Sequence, residues 1–420
     1  MIISNQKHSP KGGAGRGLLM LSLCTLLAAP AFAQDEEKKA TEDTLTFTTI
    51  IEQPVTSIKN QNSSGTCWAY SSLAFLESEA IKKNPALKDD IDLCESFLIS
   101  KTYVDRADKH VRTHGDASFS QGGSFEDALY CMEHYGLIPE GLMPYPITGY
   151  GDSLFNFGQF FPPMEAYLKT IATSNAKKIY PKAWKEAHQA MLDSYFGKCP
   201  TEFEYKGKQY TPQSFVKDYL KLDASDYVSL TSYTHHPYYS SFILEIQDNW
   251  RWASSYNLPL DELMRVMYEA VKNGWTFAWG ADVSEDGFSR RNGVNKSVAM
   301  VPDTKFKGKE VGSDQARWTG EKSTREEVIV SANAEKTITQ EMRQAAYDNW
   351  ETTDDHGMLI YGLAKDQFGK EYFMMKNSWG ETGPFKGFWY VSQPYAAYKT
   401  MNIVINKNAV PKDIRKKLGF

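Results

Sequence analysis

The stretch "NQNSSGTCWAYSSLAFLESEA", residues 60–80, decides the reading of this chain. Ala69, Leu73, Leu76 and Ala80 recur at i, i+4, i+7 and i+11, the spacing of one face of an α-helix. Ser63, Ser64 and Gly65 ahead of them are residues that start helices. One cysteine, Cys67, therefore falls in the first helical turn. A free cysteine is most often a buried, inert thiol. At a helix N-terminus the same thiol is placed where its ionised form is favoured. The remainder of the chain has to decide between the two.

At 420 residues with 41% hydrophobic and 24% charged residues, the composition is that of a folded protein and not of a disordered one. No basic tract points to nucleic acid. Lys7, Lys11 and Arg16 precede the apolar run 18–29, and Ala31-Phe32-Ala33 follows as a cleavage site. Residues 1–33 thus read as a secretory signal peptide, the run being too short to span a bilayer. Cys24 does not read as a lipid anchor, because Leu23 before it is too large. The expected product is soluble, without stable membrane insertion, and periplasmic or extracellular. Cleavage removes three basic and no acidic residues, moving the net charge from −5 to −8. Cys67, Cys94, Cys131 and Cys199 remain, with no CxxC or Cys/His spacing of a zinc site. Neither a metal nor a cofactor is implied. Cys94 and Cys131 could pair, or the three besides Cys67 could be buried thiols.

A second helix is expected over 124–136, with Ser124 as cap and Gly136 as terminator, and a third over 259–274, followed by a strand at 275–283. Residues 150–250 are rich in aromatics and hold several short amphipathic pieces. The last quarter changes character. A helix capped by Thr339 precedes "HGMLIYGLAKD" and "KEYFMMKNSW", two strands turning around Gln367-Phe368-Gly369, and "GFWYVS" is a third. Helices first and antiparallel strands later give an α+β fold in two halves, within one domain over 34–420.

A free thiol with pKa about 8.5 is only a few per cent ionised at neutral pH, so a catalytic cysteine needs an imidazolium beside it. Of the eight histidines, His356 stands out: it opens a strand, with Gly357 beside it to permit close backbone approach, 21 residues before Asn377. Asn377 sits at the end of the neighbouring strand and can accept a bond from the imidazole; Trp379 can cover it. His235 and His236 have no telling neighbour. Gln61 and the backbone N–H of Cys67 are candidate donors to an oxyanion. The bland reading of Asn377-Ser378-Trp379-Gly380 is a turn after a strand.

Gln61, Gly65-Thr66-Cys67-Trp68, His356 and Asn377-Ser378-Trp379-Gly380, in that order, resemble the papain-like cysteine peptidases. Ser64 stands where the usual signature has a cysteine, and Cys67 and His356 lie 289 residues apart, so the resemblance implies a large, mainly helical insertion over about 150–255. Within that family the chain is similar to the bleomycin hydrolase and aminopeptidase C group. The resemblance implies a papain-like two-subdomain fold, a Cys67-His356-Asn377 mechanism and peptide substrates. It also implies substrate-binding roles for Gly122 and Gly123, for Trp379 and for Asp355. In the relatives a C-terminal arm lies in the cleft and its carboxylate selects peptides with a free amino end; a homo-hexameric ring is also implied. This chain ends early, in a basic segment closing on Phe420. An aminopeptidase is the leading expectation, and an endopeptidase with an open cleft is the alternative. A non-catalytic papain-fold binding protein and a transglutaminase-like acyl transferase are weaker ones.

Overall fold

The helix expected from Cys67 runs Cys67–Lys83 (α1) and forms the middle of the molecule. Its side chains are buried continuously from Trp68 to Ile81, Glu77 and Glu79 included. A surface helix buries one stripe; this one is enclosed, with a strand on one side and two helices on the other. The computed structural model describes residues 44–143, 154, 156–285, 287–288, 296–302 and 335–420. The predicted signal peptide lies outside them.

Strand β1 (Phe47–Glu52) precedes α1. Helices α2 (Glu95–Arg112), α3 (Phe125–His134), α4 (Phe157–Ala172) and α5 (Pro181–Phe196) follow. A small hairpin, β2 (Phe203–Tyr205) and β3 (Lys208–Tyr210), leads to β4 (Tyr227–Thr231), β5 (Ser241–Ile243) and β6 (Ser254–Asn257). Next come α6 (Leu260–Lys272), β7 (Phe277–Ala281), β8 (Val298–Ala299) and α7 (Gln340–Asp348). The chain ends with β9 (His356–Asp366), β10 (Glu371–Lys376), β11 (Phe388–Ser392), α8 (Gln393–Lys399), β12 (Thr400–Asn406) and α9 (Lys412–Leu418).

Ten of the described strands make one sheet, ordered β5-β6-β4-β12-β7-β9-β10-β11-β8, with β1 also on β9. Pairing is antiparallel except at β4–β6 and β8–β11. Strand β9 carries β7 along its first half and β1 along its second. Within the expected insertion, the described residues from Phe157 form α4 and α5, which pack on α2, and then supply β4, β5 and β6 to the main sheet.

Helices cover both faces of the sheet. Leu359 and Tyr361 of β9 point into the core shared with α1–α5, while Met358 and Ile360 point into the core shared with α6, α8 and α9. This is the two-residue alternation of a strand buried on both sides. Fully burying one such aliphatic or aromatic side chain is worth about 1.5–3 kcal/mol.

The expected caps hold in part. The Asp127 carboxylate accepts the Ser124 backbone N–H at 3.0 Å, and Gly136 ends α3 with φ +81°. The Thr339 hydroxyl accepts the Met342 N–H at 3.2 Å. At α1 the boundary residue is Thr66, not Ser63, Ser64 or Gly65. Ser64 instead turns its hydroxyl to the Gln61 carbonyl (2.7 Å) and Thr66 Oγ1 (2.6 Å), bracing the approach loop.

Candidate active site

Cys67 is the first residue of α1, half-buried, where its side chain meets the backbone N–H groups of the helix start. The loop before it is stitched to the segment after β10. Gln61 N–H donates to the Ser378 carbonyl at 2.8 Å, and Gly380 N–H donates to the Lys59 carbonyl at 3.0 Å. Residues 61 and 378 are thereby held together across nearly the whole chain.

His356 opens β9 and Asn377 follows β10, so the hairpin register brings them side by side: Leu359 pairs with Lys376. His356 Nε2 lies 2.8 Å from Asn377 Oδ1. That oxygen also accepts the Ser378 N–H at 2.8 Å, which fixes the amide orientation and makes His356 Nε2 the protonated nitrogen. Nδ1 is then the basic atom of a neutral ring. Trp379 stacks on the imidazole with centroids 4.7 Å apart and planes at 25°. His356 and Asn377 are 5% and 2% exposed, so water does not compete for their bond.

Gly357 brings this hairpin onto the thiol. A Cβ there would stand 2.6 Å from Ser71 Oγ, 3.1 Å from Phe125 Cε1 and 3.4 Å from Trp68 Cα. Opposite it in β7 lies Gly280, whose Cβ would stand 3.4 Å from the same Phe125 ring. Two facing glycines thus make a flat bed for Phe125 and let β9 touch the first turn of α1.

Burial pushes the Cys67 thiol up to about 12. The Gly357 backbone N–H opposes this, the Asp248 and Asp354 carboxylates add to it, and the Trp68 N–H opposes it weakly. The helix start alone therefore does not ionise Cys67, contrary to a simple reading of the helix dipole.

Gln61 is held on both sides of its amide. Its Oε1 accepts the Ser378 hydroxyl at 2.6 Å, and one Nε2–H donates to the Ser64 carbonyl at 2.8 Å. The second Nε2–H is the one available to an oxyanion. Gly123 is pressed on the Trp68 ring, where a Cβ would stand 2.8 Å away. Gly122 is covered by the Asp248 carboxylate: a Cβ there would lie 1.8 Å from Oδ2. Asp355 turns to the loop after β7, accepting from Ser284 N–H (3.1 Å) and Thr353 Oγ1 (3.0 Å). Its carboxylate organises the wall beside His356. Sequence reading missed Asp248 and the Ser378 clamp; "EIQDNW" carries no motif, and the Gln61–Ser378 contact spans 317 residues.

Three comparisons bear on this arrangement. The profile described as Peptidase C1-like family matches residues 195–306 and 302–419, and that described as Papain family cysteine protease matches 46–240. The chain belongs to the peptidase C1-like family. Members it is similar to include aminopeptidase G of Lactobacillus delbrueckii subsp. lactis, 23% identical, with 91% of this chain and 87% of that protein covered. Another is aminopeptidase C of Streptococcus thermophilus, 22% identical, with 84% and 80% covered. A third is the mitochondrial cysteine proteinase 1 of Saccharomyces cerevisiae, 23% identical, with 90% and 80% covered. The crystal structure of PepW from Lactobacillus rhamnosis shares the fold, with a TM-score of 0.64 at 19% identity over 93% of this chain and 92% of that one. The papain-like α+β fold and the cysteine peptidase class expected from sequence are thereby shown.

Among the described residues of this C1-like chain, Cys94, Cys131 and Cys199 are free thiols. Cys94 lies 3.8 Å from the Met143 carbonyl and Cys131 lies 3.7 Å from the Gly136 carbonyl, so the pairing of these two considered from sequence is not formed. Among the described residues, His235, His236 and Glu245 are spaced to share a metal ion. Gln344 argues against that use. Its Oε1 accepts the Thr234 N–H at 2.6 Å, so its Nε2 donates to His235 Nδ1 at 3.1 Å. The His235 ring proton then sits on Nε2, aimed at Glu245 at 3.1 Å as a hydrogen bond.

Proposed function

We propose that this C1-like peptidase is an exported aminopeptidase acting through Cys67, His356 and Asn377. The observation that carries the reading is the His356–Asn377 bond, roofed by Trp379 and pressed by Gly357 onto the helix turn that bears Cys67. A proton passes from the Cys67 thiol to His356 Nδ1, and the imidazolium offsets the burial that holds the thiol up. The thiolate attacks the peptide carbonyl carbon. The carbonyl oxygen becomes an oxyanion facing the Cys67 N–H and the second Nε2–H of Gln61; losing one such donor typically costs about 10²–10³ in rate. His356 Nδ1–H protonates the leaving amine as the C–N bond breaks. Water, deprotonated by His356, then attacks the thioester, and the Cys67 sulfur leaves as thiolate. Asn377 keeps the Nε2 proton in place and the ring in orientation.

The aminopeptidase specificity rests on the named activities of the relatives. Export rests on the signal-like residues 1–33. Cells should yield, outside the cytoplasm, a protein beginning at Gln34, and a protein retained in the cytoplasm with Met1 intact would refute export. The enzyme assay is hydrolysis of leucine 7-amido-4-methylcoumarin by wild type and by Cys67→Ala. Turnover in wild type, lost in a normally folded Cys67→Ala protein, is expected; equal turnover by both would overturn the mechanism.

A further inference from the structure

The described C-terminal residues are not where an amino end would be met. Helix α9 is fastened to α6 by Arg265–Asp413 and Lys417–Glu262, and Phe420 packs between Tyr256 and Lys407. Lys407 follows the far end of β12, whose near end, Thr400, pairs with Ala281, the partner of His356. With a rise of about 3.3 Å per residue, Phe420 stands on the order of 20 Å from His356.

A different carboxylate lies in the cleft. Residues 244–253 cross between the two walls of the site. At one end the Tyr347 hydroxyl of α7 donates to the Glu245 carbonyl at 2.7 Å. At the other, Trp250 Nε1 and Arg251 Nε reach the Asp127 carboxylate of α3 at 2.9 and 2.6 Å, and Arg251 Nη2 reaches Asp105 of α2 at 2.8 Å. Asn249 knots the crossing, bonding the Leu244 and Ala253 carbonyls at 3.0 and 2.9 Å and accepting the Ala253 N–H at 2.9 Å. The next residue back, Asp248, is set down on Gly122.

Contacts run without a break from there to the thiol: Asp248 lies on Gly122, Gly123 on the Trp68 ring, and Trp68 is next to Cys67. Asp248 Oδ1 faces Ser120 Oγ (3.4 Å) and Arg106 Nη2 (3.8 Å), while Oδ2 lies over the Gly122 Cα. Arg106, bonded to the Ser118 and Gly122 carbonyls and to Ser120 Oγ, ties Asp248 to the same loop through their ion pair. A peptide extended past the first residue would have to run through the Asp248 carboxylate. An ammonium group ending there would meet it.

We propose that Asp248, fixed over Gly122 by the crossing segment 244–253, binds the α-ammonium group of the substrate and limits cleavage to peptides with a free amino end. This deepens the aminopeptidase reading and rests on it. Asp354, on the opposite wall, adds a second negative charge: both carboxylates act on the Cys67 thiol. Asp354 also lines a cavity of about 440 Å³ together with Glu245, Ile246 and Gln247 of the crossing segment. A rigid, pre-placed carboxylate avoids the ordering cost of a mobile one.

The test compares leucine 7-amido-4-methylcoumarin with its N-acetyl form on wild type, Asp248→Asn and Asp248→Glu. Wild type should cleave the free form and leave the acetylated one. Asp248→Asn should lose about 10- to 100-fold in kcat/KM on the free form, mostly through KM, the worth of a hydrogen bond to a charged group. Asp248→Glu should recover part of that loss, and iodoacetamide should still label Cys67 in both variants. Equal cleavage of free and acetylated forms by wild type, or an unchanged KM in Asp248→Asn, would overturn the proposal. Calorimetry of leucinamide and N-acetylleucinamide on Cys67→Ala reads the amine contact without turnover. If the free amide binds better there but the active protein hydrolyses nothing, the peptidase reading fails while the amine contact of Asp248 stands. Binding that ignores the acetyl group, or is unchanged in Cys67→Ala/Asp248→Asn, removes it.

Discussion

Adding one methyl group at Gly357 should disable the enzyme without unfolding it. The new Cβ would meet Ser71 Oγ at 2.6 Å, Phe125 Cε1 at 3.1 Å and Trp68 Cα at 3.4 Å. Ordinary contacts at carbon are about 3.5–4.0 Å. The start of β9 must therefore withdraw from α1 by roughly 0.5–1 Å. Overpacking of this kind costs about 1–3 kcal/mol, which in a protein of this size lowers Tm by about 1–4 °C. The larger effect is on geometry, because His356 rides on the displaced strand while Cys67 stays on the helix. A misplacement of about 1 Å can cost roughly 10²-fold in rate. Gly357→Ala should thus lose about 10²-fold in kcat for a small loss of Tm. Ser71→Ala removes the nearest atom, and the Gly357→Ala/Ser71→Ala protein should recover part of the lost kcat, a coupling that independent sites do not show. Aminopeptidase assays and thermal melts on the four proteins suffice. If Gly357→Ala keeps kcat within threefold of wild type, close approach at this glycine is not what sets the catalytic geometry.

Other predictions concern the charges around the site. His356→Ala removes the imidazole that takes the Cys67 proton in the proposed mechanism and leaves burial to hold the thiol up; its iodoacetamide rate at neutral pH should fall well below that of wild type, and an unchanged rate would contradict the pairing. Asn377→Ala removes the acceptor of the His356 Nε2–H bond at 2.8 Å and should lower kcat by about 10- to 100-fold with KM little changed; a change confined to KM would contradict its orienting role. Glu79, deep in α1, is raised to about 7 by burial, against the Asn406 amide that bonds it at 2.8 Å. An acid raised in the folded state lends stability below its unfolded pKa of about 4.3 and loses it as pH rises through 7, here about 3 kcal/mol. Glu79→Gln should therefore be more stable than wild type in urea at pH 8 and close to it at pH 4.5; an advantage equal at both pH values would refute the assignment.

The parts of the site that were legible in the sequence are those written in local pattern. Cys67 at a helix start and His356 at the head of a hairpin followed from spacing and turn residues, and the turn at Gly369 adopts φ +87° as a tight reversal needs. Strand β12 was not legible: "TMNIVIN" follows α8 with no turn residue between, and it is wholly buried, so it lacks the polar alternation that marks a half-exposed strand. Strand β1 is not legible either, because its pairing with β9 lies more than 300 residues away. Asp248 was invisible for the same reason, its meaning residing in Gly122. The thiol's titration could not be read from its helix position either, since burial is a property of the packed molecule.

The place of β12 also orders events in time. It lies between β4 and β7, so until residues 400–406 are in place the sheet exists as two separate pieces. His356 and Asn377 reach the thiol only on the larger of those pieces, from the last quarter of the chain. In the proposed mechanism a partly synthesised chain carries Cys67 without its base, and the thiol gains it only once the last quarter of the chain has folded against α1.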